Sequence, residues 1–382
     1  MKNHSKFKYA FGEIEIGNRA QALVAESFKN HWVSGGPHVK TFEDLFRKTF
    51  SYKEAVATSS GTTAGFTILA SIHDLGASWG DEVIVPALSF VATSNAVMAA
   101  GFKPVFVDIQ RNTLNIDPNL IERSITKKTK AIQVVHTMGK PCDMQPILEI
   151  AKKYKLFVLE DSCEAHGAQY RGHTVASMGL AGNFSFYTAH MICTAEGGMI
   201  ATQNEDFSAL LRSVRSHGRP DGTDYFQFDR FGFNCKMNDL EAALGIEGIE
   251  NFEKIFKKRK NNLNYLLDGT KDLSHLFYFL EEGDHEVISP HGFSLVFRED
   301  VLNEGSHLSN YLIENGIQVK TLFGSLPTQH HVFKFLGYQV GEFPQAEYVG
   351  LKGIHVGCHQ YLEKSQLDYF IDHLHQYVHR HL

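Results

Sequence analysis

The sequence predicts an α/β protein in which a large domain on a mostly parallel sheet is followed by a smaller C-terminal α/β domain. Three observations carry that expectation. From about residue 40 to 250, short β-rich runs alternate with helical stretches, the pattern of a parallel sheet covered by helices. Beyond roughly residue 268 a shorter α/β alternation resumes. The 382 residues are enough for one large core and a second, smaller one.

Taken in order, DEVIVPAL, KPVFVDI, KAIQVVHT, KLFVLEDS and GNFSFYT read as successive buried strands, with helical periodicity between them at Thr93 to Ala100 and Met144 to Lys155. Residues 238 to 266 repeat apolar positions at helical spacing and predict one long helix or two. The Lys257-Lys258-Arg259-Lys260 run within it reads as a solvated helix face rather than a polyanion site. Strands follow at FSLVF and IQVKTL, and a closing helix near Gln366 to Tyr377. The expected division is 1–250, a large domain with an N-terminal arm, and 251–382, a small C-terminal domain.

The net charge of −6 gives no bulk electrostatic reason to bind nucleic acid or an anionic membrane. No apolar run approaches the ~18 residues of a membrane span, and the N-terminus, MKNHSKFKYAFGEIEIG, lacks the apolar stretch of a secretion signal. A cytoplasmic enzyme is the expectation. Five scattered cysteines without a CxxC pair read as free thiols and disfavour an iron-sulfur cluster. The C-terminal His373, His375, His379 and His381 have no acidic or thiolate partner nearby in sequence, so no metal site is expected.

The segment Thr58-Ser59-Ser60-Gly61-Thr62-Thr63-Ala64 opens a helical run, where unpaired N–H groups and the helix dipole can hold a phosphate; an ordinary N-cap explains it equally well. The strand FVLEDS places Asp161 at the carboxyl edge of a parallel sheet, where open α/β sheets bind ligands. Alone, Asp161 is more simply a strand-end cap.

Together with WVSGGPHVKTFEDLF, ATSSGTTA, DEVIVPALSFVAT, VFVDIQRNTLNIDP, VVHTMGKPCDM, LEDSCEAHGA, FSFYTAHMICTAEGGMI and FGFNCKMNDLEAALG, these segments resemble, over nearly the whole chain, the DegT/DnrJ/EryC1/StrS sugar aminotransferases. The resemblance implies a fold-type I, aspartate aminotransferase-like architecture binding pyridoxal or pyridoxamine 5'-phosphate. It implies that Gly61, Thr62 and Ser185 hold the cofactor phosphate, that Ser60 is a further cofactor-binding residue, that Phe90 stacks on the ring, that Asp161 binds the ring nitrogen and that Glu164 lies near the ring hydroxyl. Asn234, in GFN, would reach the neighbouring subunit's cofactor, implying a homodimer.

One departure is informative. Where the aminotransferases carry the lysine that links the cofactor covalently, this chain has His190, in Ser185-Phe186-Tyr187-Thr188-Ala189-His190. The same exchange marks the 3-dehydratases of 3,6-dideoxysugar pathways, and VGCHQ at 356 to 360 looks like the C-terminal motif of the colitose-pathway enzyme. The resemblance therefore implies removal of the C3 hydroxyl of a nucleotide-linked 4-keto-6-deoxyhexose, with His190 as base and L-glutamate re-aminating the cofactor, in deoxysugar synthesis for lipopolysaccharide O-antigen. His217 and Arg219, of the HG turn, and His359, of VGCHQ, are candidate substrate contacts. Two alternatives stand: an aminotransferase with a displaced lysine such as Lys140 or Lys236, and an inactive member that binds cofactor or sugar.

Overall fold

A computed structural model describes residues 7–220 and 226–382; residues 1–6, part of the stretch read for a leader, lie outside the described residues. The strands are β1 (Glu54–Thr58), β2 (Glu82–Pro86), β3 (Lys103–Val107), β4 (Thr129–Val135), β5 (Phe157–Asp161), β6 (Gln169–Tyr170), β7 (His173–Thr174), β8 (Ala181–Ser185), β9 (Gly198–Thr202), β10 (Phe277–Phe279), β11 (Glu286–Val287), β12 (Gly292–Phe297), β13 (Val319–Thr321) and β14 (Gly353–Gly357).

The main sheet has the order β1-β9-β8-β5-β4-β2-β3. The pairs β2–β3, β2–β4, β4–β5 and β5–β8 are parallel, and β9 runs antiparallel to both its neighbours. Both faces of this sheet are covered, so its strands carry near-continuous apolar runs rather than alternation; β2, for example, is buried at every residue. A second sheet, β10-β12-β14-β13, is antiparallel and packs with its own apolar cluster around Leu266, Phe293, Phe297 and Phe370. A third, β11-β6-β7, is a small antiparallel sheet. The C-terminal segment also returns to the main core, where Leu322, Leu326, Phe333, Phe343 and Val349 pack with Val83, Val85 and Phe106.

The five expected strands of the main sheet are all present, as are the helices Val91–Ala99 and Met144–Tyr154. The 238–266 region forms two helices, Asp239–Glu250 and Phe252–Gly269, separated at Asn251. Two expectations need correction. FSFYT is strand only to Ser185, because the register with β9 ends there and the chain turns away. The basic run is not uniformly solvated: Lys257 is exposed, but Arg259 is only 1% exposed, turned inward beneath the site described next.

Candidate active site

The site grows from the carboxyl edge of the main sheet. Thr58, Gly198 and Ser185 stand in one row across β1, β9 and β8, and Asp161 ends β5 on the same edge. Period-two alternation divides the two carboxylates closing β5. Glu160 faces away from the cavity, accepting the N–H groups of Ala176 at 2.7 Å, Met178 at 2.9 Å and Gly179 at 2.6 Å. Asp161 faces into it.

The helix Gly61–Ser71 begins at this edge. Its N-cap, Ser60, forms a reciprocal capping box with Thr63, whose N–H donates to Ser60 Oγ at 3.1 Å. The N–H groups of Gly61 and Thr62 therefore lack an intrahelical acceptor and are available to an anion. Gly61 cannot be replaced freely, since a Cβ there would lie 2.5 Å from Ser185 Cβ and 3.1 Å from Cys163 Sγ. Gly198 has the same constraint, because a Cβ would meet the Ser60 carbonyl oxygen at 2.2 Å. The EGG run thus lets β9 press against the start of the helix.

Ser60, Gly61, Thr62, Phe90, Asp161, Glu164, Ser185 and His190 all line one cavity of about 570 Å³. That volume is in the range of sites for drug-sized ligands. Asp161 Oδ2 accepts from Thr93 Oγ1 at 2.8 Å, and Oδ1 from Asn183 Nδ2 at 3.0 Å. The two donors, from the helix Val91–Ala99 and from β8, aim the carboxylate. Glu164 Oε2 accepts the Met138 N–H at 2.7 Å, and Oε1 lies 3.4 Å from His291 Nε2. Burial outweighs that hydrogen bond and pushes the Glu164 carboxyl up to about 7. Phe90, 61% exposed, presents its ring at the cavity and meets Phe323 edge-on.

His190 sits on the turn between β8 and β9. The Phe186 N–H donates to the Gly197 carbonyl at 3.0 Å, the Thr194 N–H to the Phe186 carbonyl at 2.9 Å and the His190 N–H to the Tyr187 carbonyl at 2.9 Å. These bonds pinch the turn and project position 190 toward the cavity. The imidazole Nδ1 is buried and has no hydrogen-bond partner. Burial first, then the charges of Arg259 and Lys320, lower its pKa to about 3. His190 also lines a second cavity of about 400 Å³, beside Glu13, Glu15, Lys254 and Lys258.

These features fit a vitamin B6 phosphate: a helix start for the phosphate, an aromatic face, and an aimed carboxylate for a ring nitrogen. An orphaned polar atom supports the fit. Gln133 Oε1, buried and on the cavity wall, has no hydrogen-bond partner. The glutamine was detectable as the one polar residue within the apolar run AIQVV, yet sequence reading passed over it. It also passed over Thr93, Asn183, His291, His355 and Lys320, which reach the cavity from five separate segments.

The three candidate substrate contacts lie outside this cavity, as does Asn234, whose expected contact is with the neighbouring subunit's cofactor. His359 is a correction: it is 2% exposed, with Nε2 3.2 Å from the Ala10 carbonyl, and so packs between the N-terminal arm and β14. His217 and Asn234 are exposed, and Arg219 lies over the rings of Phe226 and Phe228. Of the lysines considered as replacements, buried Lys140 is ion-paired with Glu286 and donates to the Glu281 carbonyl at 2.9 Å, while Lys236 is exposed; neither lines the cavity. His375, from the C-terminal histidines, pairs with Asp272 at 3.1 Å. Among the described residues no three His, Cys, Asp or Glu side chains are grouped to hold a metal, the cysteines are free thiols, and no helix is long and apolar enough to cross a membrane.

A mixed, mostly parallel sheet with this edge site defines the fold-type I class of transferases. The chain belongs to the DegT/DnrJ/EryC1/StrS aminotransferase family, whose profile matches residues 14–375. It is 32% identical to a GDP-4-keto-6-deoxy-D-mannose 3-dehydratase of Escherichia coli O55:H7, over 87% of this chain and 91% of that one. It is 31% identical to a GDP-perosamine synthase of Escherichia coli O157:H7, over 95% and 96%. A solved structure of E. coli GDP-4-keto-6-deoxy-D-mannose-3-dehydratase with bound hydrated PLP superposes with a TM-score of 0.89 at 29% identity, covering 96% of this chain and 99% of that one.

Proposed function

We propose that this chain is a pyridoxal/pyridoxamine-phosphate-dependent 3-dehydratase of a nucleotide-linked 4-keto-6-deoxyhexose, acting as a homodimer and re-aminated by L-glutamate. The coarser statement is firm: the family is pyridoxal-phosphate-dependent and modifies sugars. The observation that carries the finer reading is the imidazole of His190 at the cavity wall, in the turn where the family's aminotransferases hold a lysine.

When bound, pyridoxamine phosphate supplies an amine for the sugar's C4 keto group and a ring that accepts electrons. The chain's residues do the rest. The Gly61 and Thr62 N–H groups, with the Ser60 and Ser185 hydroxyls, hold the phosphate, and Phe90 covers the ring face. Asp161 keeps a proton on the ring nitrogen. His190, uncharged at neutral pH, would have a lone pair to take the proton from the C4' carbon and, once protonated, could deliver it to the C3 hydroxyl, which would leave as water. Because an imidazole cannot link stably to the cofactor, elimination is favoured over return of the proton to sugar C4.

A second reading, aminotransferase, has one observation in its favour: Lys320 lines the same cavity. Mass analysis decides between them. With glutamate and GDP-, CDP- or dTDP-linked 4-keto-6-deoxyhexoses, the dehydratase releases a 3-deoxy-4-keto sugar and ammonia. A 4-amino sugar with its C3 oxygen retained refutes it, as does a reduced pyridoxyl-lysine peptide after borohydride treatment. His190→Lys is expected to create such a peptide and suppress dehydration.

A further inference from the structure

Arg259 is a buried cation with no carboxylate partner among the described residues. It projects from the helix Phe252–Gly269, and every hydrogen-bond acceptor it has among the described residues is a neutral oxygen. Nε donates to Gln360 Oε1 at 2.8 Å. Nη1 lies 3.4 Å from both the Ala189 and Pro290 carbonyls, and Nη2 lies 3.3 Å from the Ala189 carbonyl and 3.2 Å from that of His190. An unpaired buried charge is costly to keep, and a planar fork of five donors is the group best able to bind several carbonyls at once. Burial pulls the guanidinium pKa down from its ordinary value, but its starting point is so high that it stays charged.

We propose that Arg259 is the positioning residue of His190: its guanidinium holds the turn by two consecutive carbonyls and sets a fixed positive charge behind the imidazole. The inference rests on the reading of His190 as the base. Among the described residues no hydrogen bond reaches its ring, whose Nδ1 is buried without a partner, so the placement of His190 comes through its backbone, held at the N–H by the Tyr187 carbonyl and at the carbonyl by Arg259. Gln360 and Pro290 complete the clamp, joining the turn to the segments after β14 and before β12.

His190 faces charged and titratable groups on two sides: Glu13, Glu15, Lys254 and Lys258 lie across the second cavity, two acids against two bases, and the remaining groups are those of the active-site side. Arg259 and Lys320 carry charge. His166, whose ring centroid is 5.9 Å away, and His291, at 5.2 Å, are both held well below the usual histidine range by burial, so they stay neutral. Glu164 lies behind His291. Both cationic neighbours oppose protonation of the ring, and Arg259, buried, is the less screened. The arrangement keeps the lone pair free through the neutral range.

The test follows His190 in full-length protein loaded with pyridoxal phosphate and labelled with ¹⁵N-histidine, its ring signals assigned by their loss in His190→Asn. Arg259→Gln keeps donors but removes the charge. The His190 midpoint is expected to rise by about one pH unit or more, while that of His373, on the distant C-terminal helix, stays put. Arg259→Lys keeps the charge but loses the fork. Its His190 midpoint is expected to match the parent's, with kcat lower by about tenfold and KM for the sugar little changed. If Arg259→Gln leaves the midpoint where it was, or if Arg259→Lys runs at parental kcat, the proposal is overturned. Should Arg259→Gln fail to fold, the Arg259→Lys arm decides alone. The titration needs no sugar, so a parent that dehydrates nothing, yet whose His190 midpoint moves with Arg259→Gln, leaves the positioning role standing and removes only the dehydratase reading.

Discussion

At Asp161 one side chain serves both packing and chemistry. Its oxygens accept from Thr93 and Asn183, so the carboxylate is aimed before any ligand arrives. Asp161→Asn keeps the shape and can keep the Thr93 bond, but it sets an amide against the Asn183 amide and removes the charge that would hold a ring proton. A charge-assisted bond of this kind contributes roughly 1.5 to 3 kcal/mol, and ~1.4 kcal/mol is a decade in rate. Turnover at saturating cofactor should fall by at least about tenfold, with cofactor affinity falling less because the phosphate contacts persist. Parental turnover there would make Asp161 a strand-end cap. At this scale the sequence was most informative where a residue sat in a contiguous motif: eight of the expected residues converge on one wall. It failed at Arg259, which a run of four basic residues disguised as a solvated face, and at His359, whose motif gave no sign that the N-terminal arm would cover it.

Elements bring together histidines that no stretch of sequence groups. His166 follows β5, His190 lies in the β8–β9 turn, His291 precedes β12, and His355 and His359 belong to β14 and its exit. Strand existence was legible from apolar runs; this wall was not, because it depends on how the second sheet meets the first. Its consequence is an acid sensitivity. Burial above all lowers His190 and His355 to about 3 and His359 to about 4. The unfolded chain binds these protons near pH 6.5 and the folded chain does not, so their stabilising contribution is fully present above 6.5 and declines as pH falls toward the folded values. Each contributes a slope of up to ~1.4 kcal/mol per pH unit. Glu164, raised to about 7, has the opposite slope between its unfolded and folded values, but one carboxyl does not cancel three imidazoles. The urea midpoint should therefore drop on going from pH 7 to 5. A midpoint that held or rose would show that these rings are charged within the fold.

For the whole molecule, the two sheets with their separate apolar clusters lead us to propose a division near residue 250, at the break between the helices Asp239–Glu250 and Phe252–Gly269. The segment 322–349, which packs on the main core, would then be the hinge contact. The proposed homodimer draws on a different surface. Phe226, Phe228, Phe231 and Phe233 are all exposed, with Trp79 beside Phe231, an aromatic concentration unusual for a free surface. Asn234 stands at its end: the Ser59 N–H donates to the Cys235 carbonyl at 2.9 Å, so this segment runs along the phosphate-binding edge, yet Asn234 points to solvent rather than into its own cavity. In a two-fold dimer each such residue meets its counterpart's site reciprocally. That reciprocity is testable without a structure of the assembly. His190→Asn has a dead site but an intact Asn234; Asn234→Ala has an intact base but a defective arm. Mixed after mild denaturation and refolding, random pairing makes about half the dimers hybrids, each with one complete site, so about a quarter of parental activity should return. Each variant alone should stay low, and sedimentation should report a dimer throughout. No recovery in hybrids shown to form would mean that Asn234 serves its own chain, and the shared-site dimer would be wrong.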